Sequence, residues 1–161
     1  MGNIEALASC YRRLDIRLNN LDNRKIMQKK IYFLQEFGFD FGYNFGFYIY
    51  GPYSAELTSD AFRLDEQFDV ARRTITRQRL DSEHRRLLNQ LNILIRDIPS
   101  NELADRLELL SSIHFLNNHI FEPIDNLEDM VTEIRKRKPD RFRRNEIENA
   151  WNRLEENDLI T

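Results

Sequence analysis

Aromatic residues and glycines are concentrated in one short segment of the chain, between Tyr32 and Tyr53. This segment holds eleven of the eighteen aromatic residues and four of the five glycines. Each aromatic side chain carries a large apolar area, and glycine permits close approaches of the backbone that other residues prevent. Because so much apolar area has to be covered by other elements, we expect this segment to be a packing centre that fastens helices to a small sheet.

Within this segment the aromatic residues alternate with small or polar ones. Every odd position from Phe37 to Phe47 is aromatic, and three of the even positions between them are glycines. Alternation indicates a strand, but glycines disfavour a long regular one. We predict an irregular loop through Asn44 and then a strand over Phe45–Tyr50, which is ended by a Gly-Pro pair.

A second strand is predicted beyond the aromatic segment, over residues 68–78. Its β-prone residues are Val70, Thr74, Ile75 and Thr76. If it pairs with Phe45–Tyr50, the two strands form a small hairpin, comparable to the wing of a winged-helix domain.

Apolar residues at alternating spacings of three and four predict two helices in the N-terminal part of the chain. The first runs from Ile4 to Leu21. The second begins at an N-cap supplied by Asp22 or Asn23 and stops at Gly38. Some polar residues of the second helix are expected on its solvent-exposed side: Lys25, Gln28 and Lys29.

Capping residues and prolines place five further helices after the aromatic segment. Ser54 is expected to cap the third helix, and Asp81 or Ser82 the fourth. Pro99 marks the end of the fourth helix, and Ser100 caps the fifth. The fifth helix is apolar on more than one side, so we expect it to be the central buried helix. The later breaks lie at Pro123, Asn126 and Pro139.

Length and composition fit one mainly α-helical domain over residues 1–161. Hydrophobic residues make up 41% and charged residues 32% of the chain, as in ordinary globular domains. With a single cysteine, Cys10, no internal disulfide can form, and a cytoplasmic location is expected. No run of eighteen apolar residues exists, so we expect no membrane partner. The expected fold has about seven helices and a small β-hairpin, and it is partly winged-helix-like.

Several motifs resemble those of the YwgA-like family of prokaryotic proteins. They are Lys25–Gln35, the Tyr-Gly-Pro-Tyr-Ser element at 50–54, Leu109–Leu116 and the stretches 134–142 and 147–160. A more distant similarity is to the Panacea (SocA-like) antitoxin domain, which has a comparable Lys-x-x-Lys-x-x-Tyr helix and Tyr-Gly-Pro turn. The resemblance implies a mainly helical fold with a small β element, and a protein partner such as a toxin or a regulatory factor. It implies no reaction.

The aromatic segment also supplies the candidate protein-binding residues, which are Tyr48, Tyr50 and Tyr53. In the predicted strand, alternation turns Tyr48 and Tyr50 to one face and Ile49, with the phenylalanines, to the other. Tyrosine brings contact area at a low entropy cost, so outward-facing tyrosines would form a binding platform. The other interpretation is structural: these rings pack against a helix, and the Gly-Pro-Tyr-Ser turn only links a strand to a capped helix.

The net charge is −3, but the cations are clustered. Four arginines flank the predicted wing: Arg72, Arg73, Arg77 and Arg79. Seven further cations lie close together near the C-terminus: Arg135, Lys136, Arg137, Lys138, Arg141, Arg143 and Arg144. Such residues would contact the phosphates of a nucleic acid, although charges also protect an edge strand or complement a helix C-terminus. The alternative function is therefore a winged-helix-like nucleic-acid-binding regulator.

Candidate catalytic residues are few. His114 and His119 are five residues apart and do not share a helical face, so with His84 they are expected to be too few and too poorly spaced for a metal site. Cys10 is expected to be buried as a small hydrophobe, and no phosphate-binding glycine motif exists. We therefore expect no enzyme and no cofactor, but a non-enzymatic protein-binding module that is antitoxin-like or regulatory.

Overall fold

The computed structural model describes residues 2–67 and 81–160, which form seven helices and one two-stranded antiparallel sheet. The helices are α1 (Ile4–Cys10), α2 (Leu21–Glu36), α3 (Ala55–Glu66), α4 (Ser82–Leu94), α5 (Leu103–Asn118), α6 (Leu127–Arg137) and α7 (Arg144–Glu156). The strands are β1 (Gly46–Tyr48) and β2 (Gly51–Tyr53). The predicted mainly helical fold with a small hairpin is confirmed.

Helix α5 lies at the centre of the fold. It packs against α2, α6, α7 and β2, and it is buried along most of its length. Its apolar residues contribute to the main core: Leu107, Leu110, Ile113 and Leu116. The prediction of a central buried helix, which rested on apolar residues around its whole circumference, is confirmed.

The aromatic segment forms a packing centre, as its composition predicts. The rings of Phe39 and Phe41 stack with their centroids 4.3 Å apart, and His84 of α4 stacks on Phe39 at 4.1 Å. Tyr32 meets Phe45 edge to face at 5.3 Å. These contacts join both α2 and α4 to the loop before the sheet, so the segment connects elements that are distant in the sequence.

The hairpin differs from the predicted one because the chain reverses within the aromatic segment. The strand expected over Phe45–Tyr50 stops at Tyr48, and residues 49 and 50 form the turn. The Gly-Pro pair does not end the sheet but begins β2, with Tyr48 paired to Gly51 and Phe47 to Pro52. The left-handed backbone of Gly51, with φ of +91°, makes this early reversal possible. The strand and arginines predicted over 68–79 lie outside the described residues.

The N-terminal helix is much shorter than predicted. Helix α1 ends at Cys10, and the chain turns through Asp15, whose φ is +50°. A left-handed residue cannot continue a right-handed helix, so the single helix expected from Ile4 to Leu21 does not form. Leu14 and Leu18 are nevertheless buried, because the irregular chain still directs them into the core.

The predicted helix ends agree with the structure in several places and fail in others. Ser54 caps α3 and Asp81 caps α4, each with its side chain accepting a bond from a backbone N–H. The N-cap of α2 is Asn20, not Asp22 or Asn23. Ser100 does not cap α5, which begins at Leu103 after an intervening turn. Other predicted breaks agree: Gly38 follows α2, Asn126 caps α6, and Pro139 follows α6.

We predict that Gly51→Ala lowers the free energy of unfolding by about 2–4 kcal/mol. A left-handed backbone costs a residue with a side chain roughly 1–2 kcal/mol, and overpacking adds a similar amount. The added methyl group would lie 2.5 Å from Ser112 Oγ. Chemical denaturation of both proteins measures the difference.

The matched control for this prediction is Gly38→Ala. Gly38 also has a left-handed backbone, with φ of +118°, but no atom lies within 4 Å of the added methyl group. Adding Ser112→Ala to Gly51→Ala should recover part of the stability, since it removes the clashing hydroxyl. If both glycine variants lose the same free energy of unfolding, and Ser112→Ala restores none of it, contact with Ser112 is unimportant.

Candidate functional site

The hairpin and helix α2 enclose a pocket of about 370 Å³. Tyr48, Tyr50 and Tyr53 line it from the hairpin side, and three cations line it from α2: Arg24, Lys25 and Lys29. We call this cavity the tyrosine pocket. The structure thus brings together all three tyrosines that the sequence analysis selected.

The three tyrosines are held differently at the tyrosine pocket. Tyr48 is 60% exposed, and its ring meets that of Tyr53 edge to face at 5.6 Å. The Nζ of Lys25 lies over the ring of Tyr50 at 4.8 Å from its centroid. Ile49 was expected to face inward, but it is 79% exposed because it occupies the turn rather than the strand. The pocket rim is therefore apolar and accessible.

Polar side chains of α2 form the floor of the tyrosine pocket. The amide of Gln28 donates to the carbonyl of Ser54 at 2.9 Å and accepts from its N–H at 3.0 Å. The Nζ of Lys29 donates to the carbonyl of Pro52 at 2.8 Å. Lys25, Gln28 and Lys29 are all buried, so their expected solvent-exposed placement was wrong. Lys29 bonds a backbone carbonyl of the hairpin, Gln28 bonds the backbone just after it, and Lys25 contacts the carboxylates of Asp105 and Glu108.

A carboxylate beneath the tyrosine pocket binds one of the pocket's cations, Lys25, together with two cations from outside the lining. Glu108 of α5 is completely buried, and it lies 2.8 Å from Lys25, 3.1 Å from Lys138 and 3.0 Å from Arg141. Burial alone would raise the pKa of Glu108, but the bonds and charges of the two lysines hold it below its usual value. Glu108 therefore stays ionised inside the fold.

The buried cations outnumber their carboxylate partners. Lys29 has no direct contact with Glu108, and burial lowers the pKa of Lys29 to about 7 despite the attraction of that carboxylate. The positive charges of Lys138 and Lys25 add to this lowering. Burial also lowers the pKa of Lys138. The base of the tyrosine pocket therefore holds more basic side chains than carboxylates, and Lys29 is only partly protonated near neutral pH.

Most cations between Arg135 and Arg144 already contact carboxylates. Lys138 and Arg141 bind Glu108, as described above. Arg137 pairs with Glu133 at 2.6 Å, and Arg143 and Arg144 contact Glu146 and Glu128. Within the part of the chain that the structure describes, two exposed cations of this group have no ion-pair partner: Arg135 and Lys136. This surface is less positive than its sequence indicates.

The histidines are closer together than their spacing predicted. Helix α5 ends at Asn118, so His119 lies outside the helix and turns back towards His114, with 6.0 Å between the ring centroids. Glu36 of α2 lies beside them, 2.6 Å from His119. The expectation of poor spacing was wrong, because it assumed that both histidines share one continuous helix. Cys10 is buried as expected, and burial raises the pKa of its thiol to about 12.

Comparisons of the chain with protein-family models, with curated proteins and with solved structures give no match. The resemblance of its motifs to YwgA-like proteins and to the Panacea domain therefore stays a prediction. Across residues 2–67 and 81–160, no helix has both the length and the apolar character needed to cross a membrane.

We predict that Glu108→Gln lowers the free energy of unfolding by about 3–5 kcal/mol, since it leaves buried lysines without their counter-charge. Asp105→Asn is the matched control. Asp105 contacts Lys25 and Arg141 at 3.3 and 3.6 Å, but its side chain is 67% exposed. An exposed pair contributes only about 0–1 kcal/mol. Similar losses for both variants in chemical denaturation would contradict a dominant role for the buried carboxylate.

We predict that stability rises with pH above neutrality through Lys29. The pKa of Lys29 is about 7 in the folded protein and ordinarily 10.5, so between these values the unfolded chain binds more protons than the folded one. The free energy of unfolding then increases with pH.

The measurement is denaturation at pH 7 and pH 9 of the wild type, Lys29→Met and Lys136→Met. Between pH 7 and pH 9, the free energy of unfolding of the wild type and of Lys136→Met should rise by about 1–2 kcal/mol more than that of Lys29→Met. Lys136 is exposed and serves as the control. The same pH dependence in all three proteins would show that Lys29 does not titrate in this range.

Proposed function

We propose that this chain is a non-enzymatic protein-binding module whose tyrosine pocket takes a short acidic segment of a partner protein. The observation that carries this proposal is the lining itself, which combines Tyr48, Tyr50 and Tyr53 with three cations. The motif resemblance to the Panacea domain implies the same kind of partner, a toxin or a regulatory factor.

The charge of the tyrosine pocket favours an acidic group. Among the described residues that line it, Arg24 and Lys25 are cations, Lys29 is partly protonated near neutral pH, and none is a carboxylate. Beneath the lining, Lys25, Lys138 and Arg141 share two carboxylates, the buried Glu108 and the exposed Asp105, so these basic groups outnumber their acidic partners. An aspartate or glutamate entering the pocket would gain a counter-charge in a partly desolvated setting, where such bonds are strong.

The rim of the tyrosine pocket favours a protein over a small polar anion. Among the described residues, the large hydrophobic side chains with substantial exposure are Leu21, Tyr48, Ile49, Phe62, Ile93 and Phe121. Three of these line this one pocket: Leu21, Tyr48 and Ile49. An exposed aromatic and aliphatic rim around a polar centre is typical of energetically important positions in protein interfaces.

The size and chemistry of the pocket agree with a short acidic peptide segment as its ligand. A volume of about 370 Å³ lies at the small end of the range for ligand pockets, so it suits one or two side chains of an extended segment. Its lining contains no histidine, cysteine or carboxylate. The one lining group with a pKa near neutrality, Lys29, uses its Nζ to bond the carbonyl of Pro52. This composition favours binding over catalysis.

The alternative function, nucleic-acid binding, has a separate set of residues. Arg72, Arg73, Arg77 and Arg79 lie outside the described residues, and most cations near the C-terminus are paired with carboxylates. Arg135 and Lys136 remain as exposed candidates for phosphate contacts. Because they are not among the residues that line the tyrosine pocket, the two functions respond to different substitutions.

The test is selection of binders from a displayed library of random twelve-residue peptides, followed by affinity measurement with fluorescent synthetic copies. We predict that the selected peptides carry Asp or Glu beside an apolar residue. Tyr48→Ala should weaken their binding by about tenfold or more, as at a hot-spot position, and added salt should weaken it further.

Phe121→Ala is the matched control, since Phe121 is also an aromatic residue and is 99% exposed, but it lies away from the pocket. It should leave peptide affinity unchanged. Basic or neutral selected peptides, or equal binding by the wild type and Tyr48→Ala, would contradict the proposal. Binding of a labelled DNA duplex that is lost in an Arg135→Ala/Lys136→Ala variant, but kept in Tyr48→Ala, would support the alternative.

A further inference from the structure

Three metal-ligating groups converge at the end of the α2–α5 interface that lies away from the tyrosine pocket. Glu36 is the last residue of α2, His114 lies within α5, and His119 is the C-cap of α5. One ligand atom from each residue lies within 4.8 Å of the other two. The Nε2 of His119 is already 2.6 Å from Oε1 of Glu36. Two helices thus present two imidazoles and one carboxylate to the same point.

We propose that Glu36, His114 and His119 form a binding site for a divalent transition-metal ion of the Zn²⁺ type. Imidazole nitrogen and carboxylate oxygen are ligands that Zn²⁺ binds at about 2.0–2.2 Å, and two histidines with one carboxylate are a ligand set found in zinc sites. Three protein ligands leave the fourth tetrahedral position for water or for a group from a partner.

The surroundings of His114 match those of a metal ligand. The hydroxyl of Tyr32 lies 2.6 Å from Nδ1 of His114 and fixes the orientation of the ring. Ligating histidines usually have such a partner on their second nitrogen.

The adjustment needed to bind an ion is small. Ligand atoms around a tetrahedral Zn²⁺ are about 3.4 Å apart, as follows from bond lengths of about 2.1 Å. The largest separation here, 4.8 Å, therefore has to shrink by about 1.4 Å, while Glu36 and His119 separate slightly. Both of these residues are exposed at the surface, so their side chains can make these movements without disturbing the core.

A cavity gives solvent access to two of the three ligands, Glu36 and His119. Its volume is about 270 Å³, and Glu36 and His119 line it together with Gln35, Asn44, Phe45 and Phe115. The polar side chains leave room for a water molecule or a partner group at the open position. The aromatic rings exclude water from one side, which strengthens electrostatic interactions with the ion.

The test is titration of the tag-free, metal-free protein with Zn²⁺ by isothermal titration calorimetry, and with Co²⁺ by visible absorption. We expect one ion per chain and a Co²⁺ spectrum typical of tetrahedral coordination. Glu36→Gln and His119→Ala should each weaken Zn²⁺ binding by about tenfold or more. Tyr32→Phe should weaken it by about 10–100-fold, as is typical for a group that orients a ligand.

His84→Ala is the matched control, because it removes a histidine that belongs to α4 and is not part of the cluster. It should leave Zn²⁺ affinity unchanged. Glu36 and His119 are exposed, so their variants are expected to fold, and thermal melts verify this. The proposal is overturned if the folded His119→Ala and Glu36→Gln proteins bind Zn²⁺ as tightly as the wild type, or if His84→Ala weakens binding equally.

Discussion

The ionised carboxylate of Glu108 is the interaction on which the rest of the structure depends. It lies in the central helix α5 and binds Lys25 of α2, together with Lys138 and Arg141 from the connection between α6 and α7. Lys138 also donates to the carbonyl of Ile49 at 2.6 Å, and so extends the cluster to the hairpin turn. A two-stranded hairpin is only marginally stable alone. Here buried charges hold it against the helices, and the sheet does not have to support itself.

The same cluster creates the properties of the tyrosine pocket. Lys25 and Lys29 are held at the pocket floor because one binds Glu108 and the other binds the carbonyl of Pro52. Glu108 and the exposed Asp105 are fewer than the basic groups gathered around them, so a positive potential is left where the tyrosines meet. The same residues therefore stabilise the fold and give the pocket its charge. A substitution at the rim, such as at Tyr48, changes binding alone, whereas a substitution at Glu108 changes both binding and stability.

The sequence predicted the helices, the central position of α5 and the packing role of the aromatic segment, because periodicity and apolar area determine these features locally. It did not predict that Lys25, Gln28 and Lys29 are buried. Lysine and glutamine are normally solvent-exposed, and the groups that allow their burial lie far away in the chain. They are Glu108 for Lys25, Ser54 for Gln28 and Pro52 for Lys29. The early reversal at Gly51 also depends on close contact with α5. The convergence of His114 and His119 was missed because the helix ends between them. A spacing of five residues places two side chains on different faces only while both belong to one helix.

The polar residues between α2 and α5 form a continuous seam. Lys25, Lys29, Tyr32 and Glu36 recur at spacings of three and four, so they share one face of α2. Their partners on or beside α5 follow the same direction: Glu108 contacts Lys25, His114 contacts Tyr32 and His119 contacts Glu36. Apolar ridges tolerate sliding, but a slip by one helical turn, about 5.4 Å, would break all three contacts together and leave buried groups unpaired. This seam therefore fixes the register of the two central helices. The seam also explains why the tyrosine pocket and the ligand cluster of Glu36, His114 and His119 lie at opposite ends of the α2–α5 interface. At these two ends the polar groups of the seam reach solvent.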